Sequence, residues 1–153
     1  YGGYCLPKDT SALVSISAVK GFLPKMLSAN LEINDYIKYF VTDAIHQKVP
    51  KTDTIGILGL SFKPESDDVR ITPTKRIIEL LFAKGYNNIL AYDPISNDEF
   101  KKFYPELPLN YCNSLDEIVD KSDNLVILTG WKEFAKSKDK INSKNVFDYR
   151  YIY

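Results

Sequence analysis

Between residues 54 and 149 the chain repeats one alternation, a short apolar run followed by a helical stretch, and few folds accommodate it. Thr54-Ile55-Gly56-Ile57-Leu58-Gly59-Leu60 is bounded by polar residues and reads as a strand buried on both faces. Thr72-Pro73 then opens a helix carrying Ile77, Ile78, Leu80, Leu81 and Phe82, which Gly85 closes. Further strands are expected over 88–93, 124–129 and 146–149, with short helices over 96–103, 115–119 and 131–135. This pattern predicts an α/β fold with a doubly wound parallel sheet, which places ligands outside the carboxyl ends of its strands.

The first fifty residues read as helix. One segment over 10–19 leads to Gly21, and Pro24 suits the first turn of a second. Leu23, Met26, Leu27, Asn30, Ile33, Ile37, Phe40, Val41, Ala44 and Ile45 follow three- and four-residue steps until Val49-Pro50 ends the helix. A stripe of this kind is usually core. One this long, attached to a separate domain, also suits packing against another subunit. His46 lies near the helix end, where its charge suits the dipole, and is assigned no chemistry.

Ahead of these helices, Gly2-Gly3-Tyr4-Cys5-Leu6-Pro7-Lys8-Asp9-Thr10 places a thiol, a cation and a carboxylate within one short turn. Glycines let backbone approach a ligand closely, and Pro7 stiffens the turn. With Asp9 or Thr10 as the cap of the following helix, Cys5 is expected just upstream of a helix N-terminus. Partial positive charge there, together with Lys8, favours the thiolate and hence a nucleophile. The competing reading is a small buried hydrophobe at Cys5 and a plain N-cap at Asp9.

Strand ends supply the remaining candidates. The loop from Ser61 to Arg70 is long and charged, and Gly56 and Gly59 lie within the strand itself, so a standard dinucleotide fingerprint is rejected for this half. Lys63 and Arg70 are candidates for phosphate or hydroxyl contacts, with Asp67 and Asp68 able to orient them; a solvated loop with surface ion pairs is the alternative. Asp93, in Tyr92-Asp93-Pro94, can cap a turn or touch a ligand, and the structural turn is the preferred reading; Trp131 is read as packing in preference to stacking on a base. Asp148-Tyr149-Arg150 adds one more cation to the same rim.

Bulk properties bound the function. Lys and Arg number 20, matching 20 Asp and Glu, so no basic field attracts nucleic acid or an anionic membrane. Neither a long apolar run nor a signal-peptide pattern is present. Cys5 and Cys112 lack metal-ligand spacing, which makes a reduced, cytoplasmic protein the economical expectation and no metal part of it. The chain begins at Tyr1, its one methionine is Met26, and the cysteine loop stands at its edge, as expected for a C-terminal piece of a longer protein.

Several of these segments, taken in order, resemble the UDP-glucose 6-dehydrogenases of the UDP-glucose/GDP-mannose dehydrogenase family. They are the Gly2–Thr10 loop, Ala29-Asn30-Leu31-Glu32-Ile33-Asn34-Asp35, Gly59-Leu60-Ser61-Phe62-Lys63-Pro64 and Asp67-Asp68-Val69-Arg70. Tyr92-Asp93-Pro94, Thr129-Gly130-Trp131 with Phe134, and Phe147-Asp148 with Arg150 follow in the family's order. The resemblance implies that residues 1–50 end a central helical, dimerising region and that 51–153 form a Rossmann-like UDP-sugar-binding domain. It also implies oxidation of UDP-glucose to UDP-glucuronate with two NAD+ in succession. Cys5 would trap the aldehyde as a thiohemiacetal and pass through a thioester, with Asp9 assisting the water or proton steps. Gly2, Gly3, Phe62, Lys63 and, more weakly, Arg150 would lie on the substrate, and Lys8 and Arg70 near NAD. The cofactor domain and the catalytic lysine and asparagine are not in this stretch, so it is expected to be inactive alone. Tyr4 stands where the family often has Ser or His; with Pro7-Lys8-Asp9 it points to UDP-glucose over N-acetylhexosamine substrates. A non-catalytic nucleotide-binding or dimerisation module is the rival class, while a cysteine hydrolase fails for want of a histidine to pair with Cys5.

Overall fold

Residues 1–152 are described by a computed structural model. Two helices, α1 (Cys5–Val19) and α2 (Lys25–His46), precede β1 (Ile55–Leu58), α3 (Pro73–Ala83), β2 (Ile89–Tyr92), α4 (Asn97–Phe103) and β3 (Asn110–Tyr111). They are followed by α5 (Leu115–Lys121), β4 (Asn124–Ile127), α6 (Lys132–Lys136), α7 (Lys138–Ile141) and β5 (Asn145–Asp148). The strands form one five-stranded sheet in the order β3-β2-β1-β4-β5. Every pairing is parallel: Ile55 of β1 stands beside Ile89 of β2 and Asn124 of β4, and Leu58 beside Tyr92 and Ile127. The expected doubly wound α/β sheet is therefore observed. Its strands are shorter than the apolar runs, because Gly59 and Leu60 after β1 and Leu128 and Thr129 after β4 turn into the strand-end loops.

Alternation along β1 separates two cores. Ile55 and Ile57 join Ile77, Ile78, Leu81, Tyr86 and Phe100 on one face, all buried. Leu58 joins Ile118, Leu125, Ile127, Trp131 and Phe134 on the other. Local signals fix the helices that cover these faces. Thr72 caps α3, its hydroxyl accepting from Thr74 N at 3.3 Å, with Pro73 in the first turn where no donor is lost. Ser114 caps α5 by accepting from Glu117 N, while the Glu117 carboxylate accepts from Asn113 N at 2.7 Å.

Two sequence expectations are corrected. Helix α1 starts at Cys5, five residues earlier than expected, so neither Asp9 nor Thr10 is an N-cap; the Thr10 hydroxyl donates to Leu6 O within the helix. Proline is acceptable in the first turn, and Pro7 does not delay the helix. The long stripe of α2 reaches the core only at its C-terminal end, where Val41 and Ile45, with Val49 beyond them, are buried against α3 and the sheet. Met26, Ile33, Ile37 and Phe40 of the same stripe are exposed. β3 and α7 lie outside the expected elements, since stretches of two and four residues are too short to show a period.

Candidate functional site

The cysteine loop is docked on the loop that follows β1. Gly3 has φ +84°, a left-handed conformation that favours glycine, and a Cβ there would lie 2.9 Å from the Phe62 ring. Its backbone N donates to Ile71 O at 3.2 Å. A Cβ on Gly2 would collide with Pro73 Cδ, so the glycine pair is the contact that lets the two loops touch. Phe62 is half-buried under this contact, and the Lys63 ammonium sits 5.5 Å from the centre of its ring.

Cys5 opens α1 and is exposed. Tyr4, just before it, lies between two cations: the Arg70 guanidinium is 4.9 Å and the Lys8 ammonium 5.8 Å from its ring centre. Arg70 is oriented by Asp68 through a fork, Nε to Oδ1 at 3.0 Å and Nη2 to Oδ2 at 2.9 Å. That pairing raises the pKa of Arg70 and holds the Asp68 carboxyl below its ordinary value. Asp67 makes no such fork and lines the neighbouring groove with Glu99 and Phe103. Asp9 lies one helical turn beyond Cys5 and pairs with Lys8, and this contact raises the pKa of Lys8.

Arg150 stands apart from this group. Its Nε–H donates to Leu128 O, its backbone N to Asp148 Oδ1 at 2.8 Å, and partial burial of the guanidinium lowers its pKa. It lines a cavity of about 150 Å³ with Asn34, Lys38, Pro73, Leu128 and Tyr149. Pro73 is also the residue under Gly2, so Arg150 and the cysteine loop share a wall. Gly2, Gly3, Cys5, Lys8, Asp9, Phe62, Lys63 and Arg70 thus form one neighbourhood, and Arg150 a second one around its edge.

Behind the loop lies a buried polar cluster, centred on a residue whose preferred reading from sequence is a structural turn. Asp93 serves its own turn, Oδ1 accepting from Ile95 N and Ser96 N at 3.1 Å each. The same carboxylate also reaches Leu60 N at 2.8 Å and the Trp131 indole N–H at 3.1 Å, joining three strand ends. Gly59, at φ +95°, is pressed against Thr129 so closely that a Cβ there would collide with Thr129 Cβ. His46 makes a contact of 3.2 Å between Nδ1 and the Tyr86 hydroxyl, a structural position. Among the described residues, no group of three or more His, Cys, Asp or Glu is placed to hold a metal ion, and no helix is long and apolar enough to cross a membrane.

The fold and the place of this site define a doubly wound α/β domain of the class that carries ligand sites on its strand-end loops. Within that class, residues 56–153 match the UDP-glucose/GDP-mannose dehydrogenase family, UDP binding domain, and the chain belongs to this family. It is 35% identical over 160 residues to the UDP-glucose 6-dehydrogenase YwqF of Bacillus subtilis, covering 100% of this chain and 36% of that protein. It is 28% identical over 144 residues to the UDP-glucose 6-dehydrogenase AglM of Haloferax volcanii, covering 94% and 33%. Among solved structures, a UDP-glucose dehydrogenase from the archaeon Pyrobaculum islandicum superposes with a TM-score of 0.89 at 25% identity, covering 99% of this chain and 35% of that one. GDP-mannose dehydrogenase from Pseudomonas aeruginosa gives 0.83 at 31% identity, covering 97% and 36%. The chain therefore spans about a third of the length of the relatives it matches.

Proposed function

We propose that this chain is the C-terminal part of an NAD-dependent UDP-glucose 6-dehydrogenase, with residues 1–50 ending a central dimerising region and 51–153 holding the UDP-sugar. The observation that carries the reading is the docking of the cysteine loop on the strand-end loop. Gly3 on Phe62 and Arg70 over Tyr4 bring an exposed thiol beside the loop expected to hold the sugar nucleotide.

In this reading the Cys5 sulfur adds to the aldehyde carbon of the half-oxidised sugar as the C=O π bond opens, and the thiol proton passes by way of solvent to the carbonyl oxygen. The resulting thiohemiacetal keeps the aldehyde on the enzyme. After oxidation to the thioester, water attacks the carbonyl carbon, the C–S bond breaks, and the carboxylate leaves with the thiolate regenerated. Asp9, on the same face of α1 as Cys5, is the group to take the proton from that water, and Lys8 holds the carboxylate in place. Phe62 and Lys63 would receive the UDP-sugar, Gly2 and Gly3 its sugar end, and Arg150 a further contact from the side. Lys8 and Arg70 fit an anionic cofactor, keeping 49% and 51% of their side-chain surface open beside Cys5. Bound NAD would supply hydride acceptance there. The exposed stripe of α2 supports a homodimer.

The test is the stoichiometry of the full-length protein that carries this segment. With UDP-glucose it is expected to reduce two NAD+ per sugar, and to use UDP-N-acetylhexosamines poorly. A preference for the N-acetylated sugars would move the substrate within the family, and absence of any NAD+ reduction would leave the binding-module reading.

A further inference from the structure

We infer that Asp93 is a positioning residue: through Ser61 it sets the loop carrying Phe62 and Lys63 in the conformation that receives the nucleotide. This rests on the UDP-sugar reading above. A turn residue needs only the bonds of its own turn, and Oδ1 of Asp93 makes those. Oδ2 does something else. It accepts from Leu60 N, Ser61 N and Trp131 Nε1 at 2.8, 3.2 and 3.1 Å, from residues 33, 32 and 38 positions away, in a site where Asp93 is 2% exposed.

Ser61 is held at every polar atom it has. Its N–H goes to Asp93, and its carbonyl accepts from the Thr129 hydroxyl at 2.6 Å. Its own hydroxyl lies 3.2 Å from Asp93 Oδ2 and 3.0 Å from Lys63 O. A hydroxyl has one proton, and with three N–H donors already on Oδ2 the Lys63 carbonyl is the acceptor left for it. The carboxylate thus orders Ser61, and Ser61 closes the turn at Lys63. The next side chains along, Phe62 against Gly3 and Lys63 in solvent, face the cysteine loop and the ligand side. The hydrogen bonds of Asp93 go to neither side chain, and it acts through Ser61. The bonds are not interchangeable with those of an amide. In Asp93→Asn, whichever way the amide turns, its NH2 faces N–H donors: those of Ile95 and Ser96, or those of Leu60, Ser61 and Trp131.

The experiment uses the whole chain as wild type, Asp93→Asn, Thr129→Val, Lys63→Ala and the Asp93→Asn/Lys63→Ala double variant. Amide hydrogen exchange is followed without ligand, and UDP is titrated by calorimetry at a temperature where each variant is folded. Asp93→Asn is expected to speed exchange at 60–63 by about tenfold or more and to raise the Kd for UDP by about tenfold. Thr129→Val, which deletes one hydroxyl at nearly constant shape, moves both in the same direction and carries the comparison if Asp93→Asn does not fold. In the Lys63→Ala background Asp93→Asn is expected to raise the Kd clearly less than in the wild-type background, because part of its effect passes through the Lys63 contact. Unchanged exchange at 60–63, or an equal loss of affinity with and without Lys63, assigns Asp93 to general stability and overturns the inference. If wild type binds no UDP, the ligand reading fails, and the exchange result alone decides whether Asp93 positions the loop.

Discussion

Phe134, Ile57 and Ile118, around the sheet, are fully buried, whereas Ile16, Met26 and Ile33, on the two N-terminal helices, keep 59%, 88% and 65% of their surface exposed. All residues of α1 are exposed or half-buried, and α2 is buried only at Val41, Thr42 and Ile45. Both regions place apolar residues at helical spacing, yet only the sheet half satisfies them within the chain. Hydrophobic association is proportional to apolar area removed from water, so an apolar face left open in this way calls for a covering surface. The sheet half covers its apolar residues within the chain, with Val41 and Ile45 of α2 in its core, whereas α1 and the rest of α2 leave theirs in solvent. The cysteine loop sits at the junction, fastened to the sheet half through Gly2 and Gly3.

The sharpest contrast is between core truncations in the two halves. Phe134→Ala, at a fully buried site, is expected to lower the unfolding free energy by about 3–5 kcal/mol, and Ile16→Ala by less than about 0.5 kcal/mol, in urea titrations of the chain. Comparable losses at both sites would erase the distinction. Ile45→Ala tests the core that the halves share: about 2–5 kcal/mol is expected, together with faster amide exchange along α2. Thr72→Ala removes the cap of α3 and is expected to cost about 1 kcal/mol, which would also loosen Pro73 under Gly2.

Smaller still is the effect of the Asp68–Arg70 fork, which sharpens the account of the junction by its pH dependence. Asp68 has its pKa lowered by Arg70 in the folded chain, so the fork's stability is fully present above the ordinary value of 3.8 and is lost as pH falls through the folded value. The stability gap between wild type and Asp68→Asn should therefore narrow as acid is added below about pH 4. A gap that stays constant would mean that the pair contributes nothing to folding.

The sheet was legible because its strands are apolar runs punctuated by Gly and Pro, and helix α3 announces itself by Thr72-Pro73. β3 was not, since Asn110 and Tyr111 join the sheet by pairing with Leu90 and Ala91, a long-range choice that two residues cannot advertise. The start of α1 is disguised because Asp9 and Thr10 look like caps, while the true first turn has no side-chain cap. Of the candidate site, the residue types were legible and their meeting was not. Nothing local predicts that Gly3 lies on Phe62 or that Tyr4 stands between Lys8 and Arg70. The reach of Asp93 to Leu60 and Trp131 is hidden for the same reason, behind a turn signal that is also correct.

Cys5 offers the most direct measurement. In the full-length protein, Cys5→Ala is expected to reduce turnover of UDP-glucose by a factor of about 10³ or more while UDP still binds. A Cys5→Ala protein that oxidises UDP-glucose to UDP-glucuronate at the normal rate would contradict the account.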